Sequence, residues 1–251
     1  METEKTYNEN LTALLDAKCP LLEKFREMAP GTYKHCTNVR SLCESVALEL
    51  KLDVTLMNVV GLYHDIGKMI NPHVFSENQN GNGNIHDNID PAISYQLITR
   101  HVGDTVLCLL QNPNMPTEVM NICSQHHGNT VLKFFYDKSG AESDEMYRYK
   151  SIVPQSIEAT VLMICDSVEA TAKAKHNNGE LESSKEKASV ISSTIQRLMD
   201  DDQLDNMKVG ELKVIKKTLI RELGNIYHKR ELYKEDKIKS KDMEIKVDDI
   251  G

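Results

Sequence analysis

Apolar residues recur along this chain at helical spacing. Val39, Leu42, Val46 and Leu50 stand three or four positions apart, as do Leu56, Val59, Val60 and Tyr63. Val119, Ile122 and Cys123, then Ile157, Val161, Cys165 and Val168, repeat the pattern. So do Val190, Ile191, Thr194, Ile195 and Leu198, and finally Leu212, Ile215, Leu219, Leu223 and Ile226. Each stripe predicts a helix with one buried face. The punctuation fits. Pro30-Gly31 predicts a turn with Thr32 as the N-cap after it. Asp90-Pro91 reads as an N-cap followed by proline at the first helical position, and Met115-Pro116-Thr117-Glu118 as a similar start. Gly128 is a natural helix stop. No segment alternates with period two for long enough to suggest a sheet. The expectation is an all-α fold, a single helical bundle.

Two stretches break the periodicity, residues 71–89 and 139–153. The first is rich in Asn and Gly, and little in its composition can pack. Its residues 75–88 are therefore expected to be mobile without a ligand. Residues 1–30 read as a helical lead-in, 31–233 as the domain, and 234–251 as a charged, flexible tail. There is no internal repeat.

Composition narrows the function. Among 251 residues, 30 Lys and Arg face 38 Asp and Glu, a net charge of −8. Such a chain is poorly suited to coat nucleic acid or an anionic membrane. Apolar residues make up 40%, enough for a core, while aromatics make up 5% with no Trp, which disfavours base-stacking platforms. The longest apolar stretch, near residues 54–63, falls well short of the roughly 20 residues a membrane span needs. The first residues lack the apolar core of a signal peptide. Six cysteines without paired spacing read as free thiols in a reducing cytoplasm.

The candidate chemistry lies in ionisable residues on apolar stripes. His35 lies four before Val39, His64 four after Val60, and His126 four after Ile122; Asp166 stands four from both Leu162 and Ala170. An unpaired carboxylate costs several kcal/mol to bury. Four such groups on separate helices share one explanation if one or two metal ions sit where they meet. In His64-Asp65 the carboxylate has two oxygens and can bridge two ions. His126-His127 can serve one ion only from a helix end, because adjacent helical residues diverge by about 100°. Lys68, one turn beyond His64, can direct a positive charge at a phosphate.

His35, His64-Asp65 and Asp166 together resemble the H…HD…D signature of HD-domain metal-dependent phosphohydrolases. His64-Asp65-Ile66-Gly67-Lys68 strengthens the likeness. A narrower resemblance is to the cytoplasmic HD domain of the seven-transmembrane HD phosphodiesterases, which hydrolyse cyclic di-AMP. It rests on Ala29-Pro30-Gly31-Thr32-Tyr33-Lys34-His35, Phe75-Ser76-Glu77-Asn78-Gln79, His86-Asp87, His126-His127-Gly128-Asn129-Thr130 and the run from Ala159 to Ala170. It extends from about Leu11 to Tyr233.

This resemblance implies a dinuclear centre. His35, His64, Asp65 and Asp166 would hold one metal, and Asp65, His101, His126 and His127 the other, with iron or manganese favoured. Two cations about 4 Å apart activate water and neutralise phosphate oxygens. The implied reaction opens cyclic di-AMP to linear pApA, with Asp65 and Lys68 as the catalytic pair. Lys68, Asn78, Thr130 and Arg148 would bind substrate; Asn78 and Arg148 read equally well as residues holding their loops. Relatives are membrane-anchored, so this chain is either a stand-alone soluble form or an excised domain. Its partner is a cyclic dinucleotide rather than long nucleic acid, and its oligomeric state is left open. Ile85, Asn129 and Lys150-Ser151-Ile152-Val153 depart from the family pattern, which keeps three rivals in play: another nucleotide or phosphoester substrate, a di-iron oxygenase, and a non-catalytic nucleotide sensor. His73, His86, His176 and His228 are read as non-ligands, His86 as able to shape the pocket, and Cys36 as packing.

Overall fold

The computed structural model describes the backbone of residues 4–79 and 83–245 and the side chains among them as far as Tyr227. Among the described residues ten α-helices follow in order: α1 (Glu4–Leu14), α2 (Pro20–Met28), α3 (Pro30–Leu50), α4 (Val54–Tyr63), α5 (Pro91–Leu109), α6 (Thr117–Ser124), α7 (Lys133–Ser139), α8 (Ile157–Asn177), α9 (Ser184–Asp200) and α10 (Val209–Ile245). The fold is all-α. Among the described residues the sole β feature is one isolated bridge between Val131 and Arg148.

α4 is the axis. Every residue from Leu56 to Tyr63 is buried, so this stretch has no exposed face. Its start is fixed by Asp53, whose carboxylate accepts hydrogen bonds from the backbone N–H groups of Thr55 and Leu56. α3 crosses it closely, and a Cβ on Gly61 would come within 2.7 Å of the Arg40 Cα. Val39, Leu42, Cys43 and Val46 of α3, Val161, Leu162 and Cys165 of α8, and Ile215, Leu219 and Leu223 of α10 complete the core around it. Cys36 is buried there too, and His176 packs against the ring of Tyr227.

The stripes mark the helices they belong to; the boundaries differ. α3 begins at Pro30, so Thr32 lies buried in the first turn and is not the N-cap. The residue before the helix is Ala29, which has no side chain to cap with. Asn78 takes that role from a distance: its Oδ1 accepts from the N–H groups of Gly31 (2.9 Å) and Thr32 (3.1 Å), and its Nδ2 donates to Thr32 Oγ1. The approach is close enough that a Cβ on Gly31 would overlap the Glu77 carbonyl. Asp90 caps α5 as expected, whereas α6 starts one residue late, with Pro116 at the cap. α6 ends at Ser124, and Gly128 (φ +52°) is used four residues on, in the turn that follows.

The 71–89 segment is better packed than its composition suggests. Three 3-10 turns (Pro72–Val74, Ser76–Asn78 and Ile85–Asp87) run through it, and Val74, Phe75 and His86 are buried. His86 Nε2 donates to the Val74 carbonyl, and Lys138 Nζ donates to the carbonyls of His86 and Asp87. Residues 80–82 of the Asn/Gly run lie outside the described residues. Residues 139–153 carry one 3-10 turn, Glu145–Tyr147. Late in the chain, helix breaks between Asp200 and Val209 and then continues to Ile245. It thus crosses residues 234–245; residues 1–3 and 246–251, and the side chain of His228, lie outside the described residues.

Asn78→Ala removes a helix cap and leaves two backbone donors without their acceptor. It should cost about 0.5–2 kcal/mol, a melting shift of a few degrees for a domain of this size, with metal content unchanged. Thermal denaturation beside elemental analysis checks this; unchanged stability with raised KM would restore Asn78 to the substrate.

Candidate metal centre

The fold brings all seven suspected ligands together. His35 comes from the second turn of α3, His101 from the middle of α5 and Asp166 from α8, while His126-His127 sit just past the end of α6. His64-Asp65 sit where α4 gives way to a 3-10 turn, Ile66–Ile70; that change of course lets two adjacent residues face one centre. Gly67 is required there, since a Cβ would meet the backbone of His101 and Thr105.

Asp65 is shared. Its Oδ2 lies 3.7 Å from His35 Nε2 and 3.5 Å from His64 Nε2; its Oδ1 lies 3.2 Å from His101 Nε2 and 3.4 Å from His126 Nε2. Asp166 Oδ1 closes the first group, 3.0 Å from His35 Nε2 and 3.6 Å from His64 Nε2. His127 Nε2 closes the second, 3.1 Å from His101 Nε2. Within each group, His35–His64–Asp65–Asp166 and Asp65–His101–His126–His127, one candidate ligand atom per residue lies within 4.8 Å of all the others.

The donor chemistry fits cations. The Nδ1–H of His64 donates to the Gly61 carbonyl, that of His101 to Ile98 and that of His126 to Cys123. Each ring is thereby fixed with its Nε2 lone pair aimed inward. His101 and His126 present these atoms to each other at 3.4 Å, with no proton between them to share. Burial holds His101 and His127 below the ordinary imidazole range, and for His127 the neighbouring His126 and His101 add to it. His64 Nε2 and Asp65 Oδ1 are buried without any hydrogen-bond partner. Converging lone pairs and an orphaned carboxylate oxygen are what bound cations would satisfy.

Lys68 brings a positive charge to the centre. Its Nζ lies 2.6 Å from Asp65 Oδ2 and 3.3 Å from Glu77 Oε1, and 5.0 Å from the centre of the Phe75 ring. Burial opposes charge on Asp65, but Lys68 and then His64 outweigh it and hold the carboxyl well below its usual range. Phe75 also packs edge-on against His101. The segment read as a mobile loop therefore forms a wall of the site.

A cavity of about 440 Å³ opens over the centre, lined by His35, Lys68, Phe75, Glu77, His127, Asp166 and Lys173 among others. A second hollow of about 190 Å³ adjoins it, sharing His127, Tyr149, Asp166 and Ala170. Tyr149 stacks on His127, ring centres 4.3 Å apart. Thr130 lines the smaller hollow. Asn78 is occupied in capping α3, and Arg148 is tied to Asp144, Asp201 and the Asn129 carbonyl, so the geometry gives both a loop-holding role. The departing Asn129 pairs its Oδ1 with Gln203.

A family model for the HD domain matches residues 32–171. The chain belongs to the HD-domain family. It is 35% identical over 237 residues to the cyclic-di-AMP phosphodiesterase PgpH of Listeria monocytogenes, covering 90% of this chain and 32% of that protein. Likeness to PgpH of Bacillus subtilis is 35% over 231 residues, with the same coverage. The chain thus spans about a third of the length of these relatives. The crystal structure of the L. monocytogenes PgpH HD domain aligns with a TM-score of 0.78 at 36% identity, over 83% of this chain and 99% of that one. The same domain in complex with cyclic-di-AMP aligns with a TM-score of 0.77 at 35% identity, over 83% of this chain and 97% of that one. Among the described residues no helix is long and apolar enough to cross a membrane.

Sequence reading missed Glu169, Glu77 and Tyr149. Glu169 is fully buried, its Oε2 accepting from His35 Nδ1 at 2.6 Å and its Oε1 from Asn38 Nδ2 at 2.6 Å. A signal existed, since Glu169 stands four residues after Cys165 on the α8 stripe.

The charges of this HD domain set a pH dependence. Burial opposes protonation of His35, but Asp166 and Glu169 outweigh it and push its pKa up to about 10. Below the unfolded value of ~6.5 this contribution to stability is complete, and it is lost as pH rises towards about 10. His101 and His127, held low, lose their contribution as pH falls below ~6.5, and Asp65, Asp166, Glu77 and Glu169 lose theirs in stronger acid. Metal-free protein should therefore melt progressively lower from pH ~6.5 to ~8.5, while metal-loaded protein gains on it, because a metal competes with that proton. A metal-free melting temperature that rises across this interval contradicts the assignment.

Proposed function

We propose that this domain is a phosphodiesterase that opens cyclic di-AMP to linear pApA with two divalent ions, iron or manganese, held by the seven ligands. The observation that carries the reading is the sharing of Asp65: its two oxygens face two separate ligand groups, both of which contribute residues to the wall of one cavity. Likeness to PgpH over 90% of the chain supports the substrate. Imidazole and carboxylate donors without thiolate support the choice of metal. Six free cysteines, five of them buried, support a reducing compartment such as the cytoplasm.

When bound, the ions would supply a nucleophile from water near neutral pH and draw charge from the phosphate oxygens. The protein supplies the rest. His64, His101 and His126 are locked by their carbonyl partners, so little reorganises when a phosphodiester arrives. Lys68 carries its ammonium group at the cavity wall, 2.6 Å from Asp65, where it would partner a phosphoryl oxygen. Two hollows meeting at His127, Tyr149 and Asp166 suit a ligand made of two nucleotides. Lys173, in the wall of the larger one, adds a second cation for a second phosphate.

Metal-loaded protein incubated with cyclic di-AMP, cyclic di-GMP and pApA, then chromatographed, should convert cyclic di-AMP to pApA and stop with chelator. Binding without turnover would support the sensor instead, and strict oxygen dependence the oxygenase. Lys68→Ala should lose about 10²–10³-fold in turnover. It should keep both metals, since removing a cation 2.6 Å from Asp65 favours the binding of others. Loss of metal from this variant, read by elemental analysis, would overturn its assigned role.

A further inference from the structure

The two ligand groups differ in charge. The His35 group contains two carboxylates, Asp65 and Asp166; the other contains three imidazoles and only the shared Asp65. Lys68 and Glu77 both lie near Asp65 Oδ2 and offset each other. A dication therefore gains more Coulomb energy in the first group.

The groups differ again behind the ligands. His64, His101 and His126 each lean on a neutral backbone carbonyl, whereas His35 leans on the carboxylate of Glu169. A carboxylate behind an imidazole raises its basicity as a donor and fixes its orientation. Glu169 is in turn held by Asn38, so His35 and Asn38 on α3 lock onto Asp166 and Glu169 on α8, each pair three residues apart on its helix. Lys173 also acts on Glu169, but more weakly than His35 and Asn38. At the other extreme is His127. Its side chain is 21% exposed, it lines both hollows, and it is steadied by stacking on Tyr149.

We propose that the two metal positions fill in order, the His35–His64–Asp65–Asp166 position first, and that Glu169 is the positioning residue that sets this order through His35. The position served by His101, His126 and His127 is then the later, exchangeable one. This inference rests on the two-metal reading of the function.

Metal-stripped protein titrated with Mn²⁺ in a calorimeter, with electron paramagnetic resonance to detect coupled ion pairs, tests it. Wild type should take two equivalents in two resolved steps. His127→Ala should abolish the second step and keep the first. Glu169→Gln preserves shape but removes the charge, and should weaken the first step by about 10–100-fold. If that variant folds poorly without metal, Asn38→Ala keeps the charge, releases its tether and should produce a smaller loss in the same step. A first step within twofold of wild type in both variants, two indistinguishable steps in wild type, or loss of the first step in His127→Ala would overturn the inference while leaving two metals in place. A wild-type protein that never takes more than one equivalent would overturn the two-metal reading and the order with it.

Discussion

A single buried carboxylate organises this molecule. Asp65 is 1% exposed and is met by Lys68 and four imidazoles, His35, His64, His101 and His126. A charge placed so deep is tolerable only when compensated, and the compensation arrives from Lys68 and from imidazoles on α3, α5 and the turn after α6. The packing follows from the same demand. α4, buried along nearly its whole length, puts Asp65 at the centre of the bundle, and its ending in a 3-10 turn aims His64 and Asp65 at one spot. Lys68 in that turn supplies the local positive charge, and Phe75 with Glu77 closes over it.

Much of this was legible in the chain because buried ionisable residues break a hydrophobic stripe visibly. His35, His64, His126 and Asp166 each stand four residues from an apolar position, and the structure puts all four at the centre. His101 carries the same signal, four residues after Leu97, but its stretch is not among the stripes read from the pattern, and it enters through the family likeness. Glu169 stood on a stripe and passed unnoticed because it touches the site through another residue. Boundaries and loops were harder for a different reason. The cap of α3 comes from a residue 47 positions beyond Gly31, and local pattern carries no information about so distant a partner. Composition misjudged the 71–89 segment in the same way: a few buried residues, Val74, Phe75 and His86, anchor a stretch whose Asn and Gly suggest nothing to pack.

The family and the geometry answer different questions. Membership in the HD family fixes the fold and accounts for the arrangement of histidines and aspartates. The geometry separates residues that face the cavity from those that merely share the motif. Lys68 and Thr130 line the two hollows. Asn78 and Arg148, equally prominent in the sequence, spend their hydrogen bonds on the scaffold.

The spread of the ligands along the chain bears on how the protein comes into being. His35 meets Asp166 across 131 positions and Glu169 across 134. Contacts so distant are slow to form, because the loop between them must close before they repay its entropy. During synthesis the site cannot be complete until α8, which carries Asp166, has emerged. An ion bound there ties α3 to α8 much as a disulfide would, in a protein whose cysteines are all free.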